Sequence, residues 1–207
     1  MPSQRPPRDP AVGDPVPGPS PTDEALMEAA SGGDREAFTE LVRRYERPLY
    51  AFALRLGGDR TAAEDLFQET WLRVFRGRGT YHAGRRVSPW LHGIMLNAWR
   101  DTRPRGSEEP LSPEGAEGSP VSAWGAQDPA RSPDEALLAR EQEQQVLGAL
   151  AHLPEEQRVV VLLRHYQGLR LAEIAQVLGC PVGTVKSRLH GALKTLAPLL
   201  RAEPPEM

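Results

Sequence analysis

Three groups of side chains in this 207-residue chain have types and spacings that suggest a chemistry, and all three suggest binding. Near the C-terminus, Thr184, Lys186, Ser187, Arg188 and His190 share the outer side of a helical stretch whose inner side carries Val185. Short hydroxyls and basic groups so placed can reach phosphates and base edges in a DNA major groove. Between Arg76 and Arg105, Tyr81, His82, Trp90 and Trp99 are interleaved with Arg78, Arg85, Arg86, Arg100, Arg103 and Arg105. Aromatic faces beside guanidinium groups suit unstacked, single-stranded bases. In the third group, Asp65, Gln68, Glu69, Leu72 and Arg76 recur at three and four residues and so share one helical face. A leucine set outward among charges suits a protein partner. Catalysis has no comparable footing. His82, His92, His152, His165 and His190 lack metal-ligand spacing, there is no GxSxG or phosphate-binding glycine loop, and Cys180 has no activating neighbour. No catalytic residue, metal, cofactor or small-molecule substrate is expected.

These groups need elements to hold them. From Leu171 to Leu193 the chain reads LAEIAQVLGCPVGTVKSRLHGAL, the pattern of a helix-turn-helix. Ala175 is small where two helices meet, Gly179 permits positive φ in the turn, and Val185 faces a core shared with Ile174, Leu178 and Leu189. Upstream, Ser132-Pro133-Asp134-Glu135 caps a helix running to about His152, Leu153-Pro154 breaks the chain, and residues 155–166 form another helix before Gly168. In the first half, Asp34 caps a helix carrying Phe38, Leu41, Val42, Tyr45, Leu49, Phe52 and Leu56, with Pro48 as a kink and Gly57-Gly58 as the stop. Thr61-Ala62-Ala63-Glu64 reads as a capping box for a helix with Ala63, Leu66, Phe67, Thr70, Trp71, Val74 and Phe75 inward. Ser88-Pro89 opens a third helix with Leu91, Ile94, Met95 and Ala98 on one side. No stretch alternates as a strand does, so the fold class is all α: an N-terminal helical bundle and a C-terminal helix-turn-helix domain joined by a flexible linker.

Composition divides the chain in the same way. Hydrophobic residues make up 39%, below the roughly 45–50% of ordinary globular chains, and eight of the first 21 residues are proline. Residues 1–21 read as a disordered arm, 22–103 as the first domain, 104–132 as an acidic Pro/Gly/Ser linker holding Trp124, 133–201 as the second domain and 202–207 as a tail. The formal net charge of −3 conceals blocks of opposite sign. Residues 70–105 carry eight arginines against Asp101 alone, 106–150 carry nine acids against two arginines, and 151–201 are basic again. Two basic blocks around an acidic spacer imply a polyanion held at two places. The single cysteine, the absence of an 18-residue apolar run and a start without a signal peptide's apolar centre point to a cytoplasmic protein without a membrane partner.

Residues Leu153 to Leu193 resemble the DNA-binding fourth region of bacterial extracytoplasmic-function sigma factors. The stretches TAAEDLFQETWLRVF (Thr61–Phe75), GGDREAFTELVRRY (Gly32–Tyr45) and PWLHGIMLNAWRDTRPR (Pro89–Arg105) resemble the same family's second region. The resemblance implies a factor that binds core RNA polymerase and directs initiation at promoters, with an anti-sigma protein as a further partner. It implies minus-35 contacts by Thr184, Lys186, Ser187, Arg188 and His190. It implies minus-10 contacts by Arg78, Tyr81, His82, Arg85, Arg86, Asn97, Arg100 and Arg103, and polymerase docking by Asp65, Gln68, Glu69, Leu72 and Arg76. The chain departs from the family after His190, where Gly191 and Leu193 stand in place of arginines. From the residues alone, a regulator whose first domain senses a signal while only the helix-turn-helix binds DNA stays open.

Overall fold

A computed structural model describes residues 20–57, 59–103 and 144–200, and all regular structure among them is helical. The proline-rich arm, the linker with Trp124, the Ser132–Glu135 cap and the tail lie outside the described residues.

The first set of helices opens with α1 (Asp23–Ser31), a helix the sequence reading, which begins its first helix at Asp34, does not include. Its signal is short: Thr22 Oγ1 accepts from the Ala25 amide at 3.2 Å, Asp23 and Glu24 suit the positive end of the helix, and Leu26, Met27 and Ala30 turn inward. Asp23 pins it to the next helix, accepting from Arg44 Nη1 at 2.9 Å and Tyr45 Oη at 2.7 Å. Helix α2 (Arg35–Gly57) starts where expected, with Asp34 Oδ1 accepting from the amides of Glu36 (2.9 Å) and Ala37 (3.1 Å), and contains Pro48. Its Leu41, Leu49, Phe52 and Leu56 are buried.

Helix α3 (Arg60–Gly77) corrects the expected capping box. Asp59 is the cap, accepting from Ala62 N at 2.8 Å, while Thr61 lies inside the first turn and Glu64 bonds Arg60. Ala63, Leu66, Thr70, Trp71 and Val74 are buried as expected; Phe67 is half-buried and Phe75 is 46% exposed. Four residues beyond Trp71 the helix has rotated the stripe by about 40°. Phe75 therefore leaves the core and packs edge-on against Phe38 (5.4 Å), with the Arg78 guanidinium 4.1 Å from its ring centroid. Helix α4 (Val87–Asp101) begins one residue before Ser88, so Ser88 is not its cap. Arg86 holds that position without a side-chain capping bond, and the Val87 amide is met from α1 by Glu24 Oε1 at 3.4 Å.

In the second set, α5 covers residues 144–151, and α6 (Glu155–Val161) runs into a wider turn over Leu162–Tyr166. Helices α7 (Leu171–Leu178) and α8 (Val182–Leu199) form the helix-turn-helix. Gly179 has φ +65°, the left-handed conformation the turn was expected to need. Val160, Leu162, Leu163, Leu169, Ile174, Val185 and Ala192 make its core, whereas Leu178 and Leu189 are half-buried against it. The two sets touch along α4 and α7, and their buried side chains run together. No helix among the described residues is long and apolar enough to cross a membrane.

Candidate nucleic-acid interface

The outer side of α8 is built by helical period alone. Val185 is fully buried, which turns Lys186, Ser187 and His190 to solvent and leaves Thr184 half-buried. Ser187 Oγ donates to the Thr184 carbonyl at 3.0 Å. Arg188 shares the helix but is less available: Nη2 pairs with Glu156 Oε2 at 2.5 Å and Nη1 lies 3.8 Å from Cys180 Sγ. Helical spacing accounts for the grouping of all five residues; it gives no hint of Arg188's ties to α6 and the turn.

The basic loop and α4 form the second surface. After α3, a tight helical turn (Arg78–Thr80) is fixed to α1 by Ser31 Oγ, which donates to the Arg78 carbonyl at 2.8 Å. Tyr81 is half-buried, stacked edge-on against Trp90 at 5.4 Å, and its hydroxyl donates to the Arg85 carbonyl. Burial, followed by Glu24 and Glu28, pushes its phenol pKa up. His82, Arg85 and Arg86 are exposed, as are Asn97 and Arg100 farther along α4. Trp99 is a core residue at 5% exposure, and the half-buried Arg103 guanidinium lies 4.9 Å from its ring centroid.

This surface meets the second set of helices. Arg86 Nη1 bonds both carboxylate oxygens of Glu173, at 2.9 and 3.1 Å, and Arg103 Nη1 pairs with Glu155. Neither glutamate was legible as a partner, because 87 and 52 residues separate the pairs and no local pattern encodes them.

The outer face of α3 is the third surface. Asp65, Gln68 and Arg76 are exposed, Leu72 is 49% exposed, and Glu69 is half-buried. Arg73, which the sequence pattern does not single out, joins Glu69 (2.7 Å) to Asp101 (2.6 Å), bracing this face against the end of α4. A cavity of about 420 Å³ opens beside Asp65 and Glu69, with Leu56, Leu66 and Trp99 among its walls. Among the described residues no group of three or more His, Cys, Asp or Glu could hold a metal ion.

The chain is similar to known proteins over most of its length. Residues 41–107 match the model of Sigma-70 region 2 and residues 143–196 that of Sigma-70, region 4. The chain is 34% identical over 185 residues to the RNA polymerase sigma-H factor of Pseudomonas aeruginosa, covering 86% of this chain and 96% of that one. It is 36% identical over 179 residues to the ECF RNA polymerase sigma factor SigM of Mycobacterium tuberculosis, covering 86% and 85%. Among solved structures it is similar to CnrH in complex with the cytosolic domain of CnrY, with a TM-score of 0.62 at 27% identity, over 88% of this chain and 99% of that one.

Proposed function

The chain belongs to the extracytoplasmic-function sigma factors of RNA polymerase, and on that footing we propose how its three surfaces divide the work. As a sigma factor it recognises promoters together with RNA polymerase. Thr184, Lys186, Ser187, Arg188 and His190 read the minus-35 duplex. Arg78, Tyr81, His82, Arg85, Arg86, Asn97, Arg100 and Arg103 hold the melted minus-10 strand. Asp65, Gln68, Glu69, Leu72 and Arg76 dock on the polymerase. The domain limits are 22–103 and 133–201, with the acidic linker between them, so that each module raises the effective concentration of the other at its own site. The factor works in the cytoplasm, carries no catalysis of its own, and is held in check by an anti-sigma protein.

The observation that carries the docking assignment is Leu72, half exposed among Asp65, Gln68, Glu69 and Arg76 on the side of α3 opposite the buried Ala63, Leu66, Thr70 and Val74. A solvated helix gains nothing from an apolar side chain there, whereas a partner surface gains its burial. A regulator that senses a signal through its first domain has no use for this face. Purified chain added to sigma-free core polymerase on fragmented genomic DNA is expected to give discrete transcription start sites sharing upstream elements. Failure to initiate anywhere, beside a working related factor, would refute the assignment.

A further inference from the structure

Helix α1 lies outside the stretch matched to region 2, which begins at residue 41, yet it meets the loop assigned to the melted strand at both of that loop's ends. At the near end, Ser31 Oγ shares its hydrogen between the carbonyls of Arg78 and Met27, both at 2.8 Å. The Arg78 carbonyl also accepts from the Tyr81 amide at 3.2 Å, so Ser31 fixes the turn from which Tyr81 departs. At the far end, α4 has no side-chain cap of its own, and Glu24 Oε1 accepts from the Val87 amide at 3.4 Å. A carboxylate there also suits the positive end of α4. Glu24 and Ser31 are seven positions apart, two turns along one face of α1, so the two holds are spaced about 10 Å along a rigid element. Glu28 stands between them, and its charge adds to burial and to Glu24 in raising the Tyr81 phenol pKa, which sets Tyr81 alongside this face. Tyr81 closes the loop from within, edge-on to Trp90 and bonded to the Arg85 carbonyl, and His82, Arg85 and Arg86 are left outward.

Resting on the assignment of this loop to the melted strand, we propose that α1 is a ruler for the loop, with Glu24 and Ser31 as positioning residues that set where Tyr81, His82, Arg85 and Arg86 meet the strand. Neither residue needs to touch DNA. Glu24 acts through the Val87 amide, and so on the path of Arg85 and Arg86 into α4; Ser31 acts through the Arg78 carbonyl, and so on Tyr81. Stacking and phosphate contacts need several side chains to meet one strand together, so a loosened loop loses affinity to ordering although every contact residue remains. The charge of Glu24 separates this role from plain electrostatics. An anion beside a phosphate-binding loop repels the strand, so its removal tightens binding if charge is its only part, whereas loss of a positioning bond weakens it.

The test uses the full chain at low salt and fluorescence anisotropy with a labelled, mixed-sequence single-stranded DNA oligonucleotide. E24A should weaken binding about three- to tenfold, the effect of losing a helix cap and the order it imposes. E24Q removes the same charge but keeps an acceptor oxygen for the Val87 amide, and should bind at least as tightly as the parent. S31A should weaken binding about threefold, and S31T, which restores the hydroxyl, should recover it. Helical circular dichroism, melting temperature and duplex binding through α8 should stay near the parent's in all four variants. E24A and E24Q shifting together in either direction, S31T binding as weakly as S31A, or losses that follow lost helicity would each overturn the proposal, the last by making both residues supports of the whole module. Parent-like binding by E24A and S31A removes the ruler and leaves the strand-holding assignment standing. A parent chain that does not bind the oligonucleotide removes that assignment and the ruler with it, while the sigma-factor reading is judged separately by initiation with polymerase.

Discussion

The recognition side of α8 and the basic loop with α4 are both cationic surfaces suited to DNA, yet one faces solvent and the other is partly covered by the chain itself. The difference lies in what fixes each. On α8, burial of Val185, Ala192 and Leu196 dictates which residues point away, so a single helical period settles the surface. Around α4, Arg86 and Arg103 owe their surroundings to helices far along the sequence. A surface set by local period can be read along the chain; one set by packing between modules cannot.

The largest expected effect separates the two surfaces. Lys186→Glu should weaken binding to duplex promoter DNA by about tenfold or more and lower the salt dependence by about one charge, since an exposed cation near phosphates is replaced by a repelling anion. Arg86→Glu should leave duplex binding unchanged. Anisotropy titrations over a range of salt concentrations check both, and equal losses would mean that the surfaces do not act separately.

Helix α4 also carries a buried histidine, and with it a pH dependence of stability. His92 on α4 is 1% exposed, packs edge-on against Phe52 at 5.0 Å, and donates from Nδ1 to the Ser88 carbonyl at 2.7 Å. Burial holds its pKa below 6.5, outweighing the opposing bond to the Ser88 backbone, and Nε2 has no hydrogen-bond partner among the described residues. The folded chain therefore favours neutral imidazole. His92 carries no penalty above pH 6.5 and a growing one as pH falls below that value, because the unfolded chain takes up the proton first. Thermal melting should move down across that window in the parent, and His92→Gln should flatten the change. Equal slopes would show that His92 is not responsible.

The smallest effect concerns α8 beyond His190. Gly191 leaves room for Gln157, whose Nε2 would lie 3.2 Å from an added Cβ, the end of a flexible side chain. Gly191→Ala should stabilise the chain by up to about 1 kcal/mol from helix propensity, less whatever Gln157 gives up in moving. Urea denaturation measures it. A clear loss would show that this glycine is needed for the close approach of α6.

The sequence carried most of the fold because its signals are local. The Asp34 cap, the left-handed Gly179 and the bounds of α7 all stem from neighbouring residues, and so does the outward set on α8. The boundaries that differ were decided by competition among adjacent candidates: Asp59 outcompetes Thr61 as a cap, and Val87 rather than Ser88 begins α4, its amide met by Glu24 from another helix. Helix α1 has only nine residues and too short a period to stand out. The ties of Arg86, Arg103 and Arg188 to Glu173, Glu155 and Glu156 were beyond reach, since ion pairing across a fold leaves no periodic trace.

The division of labour among the surfaces is tested most directly by reversing the charge on α3. D65K/E69K should no longer co-elute with core RNA polymerase, while its binding to duplex promoter DNA stays at the level of the parent chain. A reversed chain that still joins the polymerase and initiates RNA synthesis would contradict the assignment of that face.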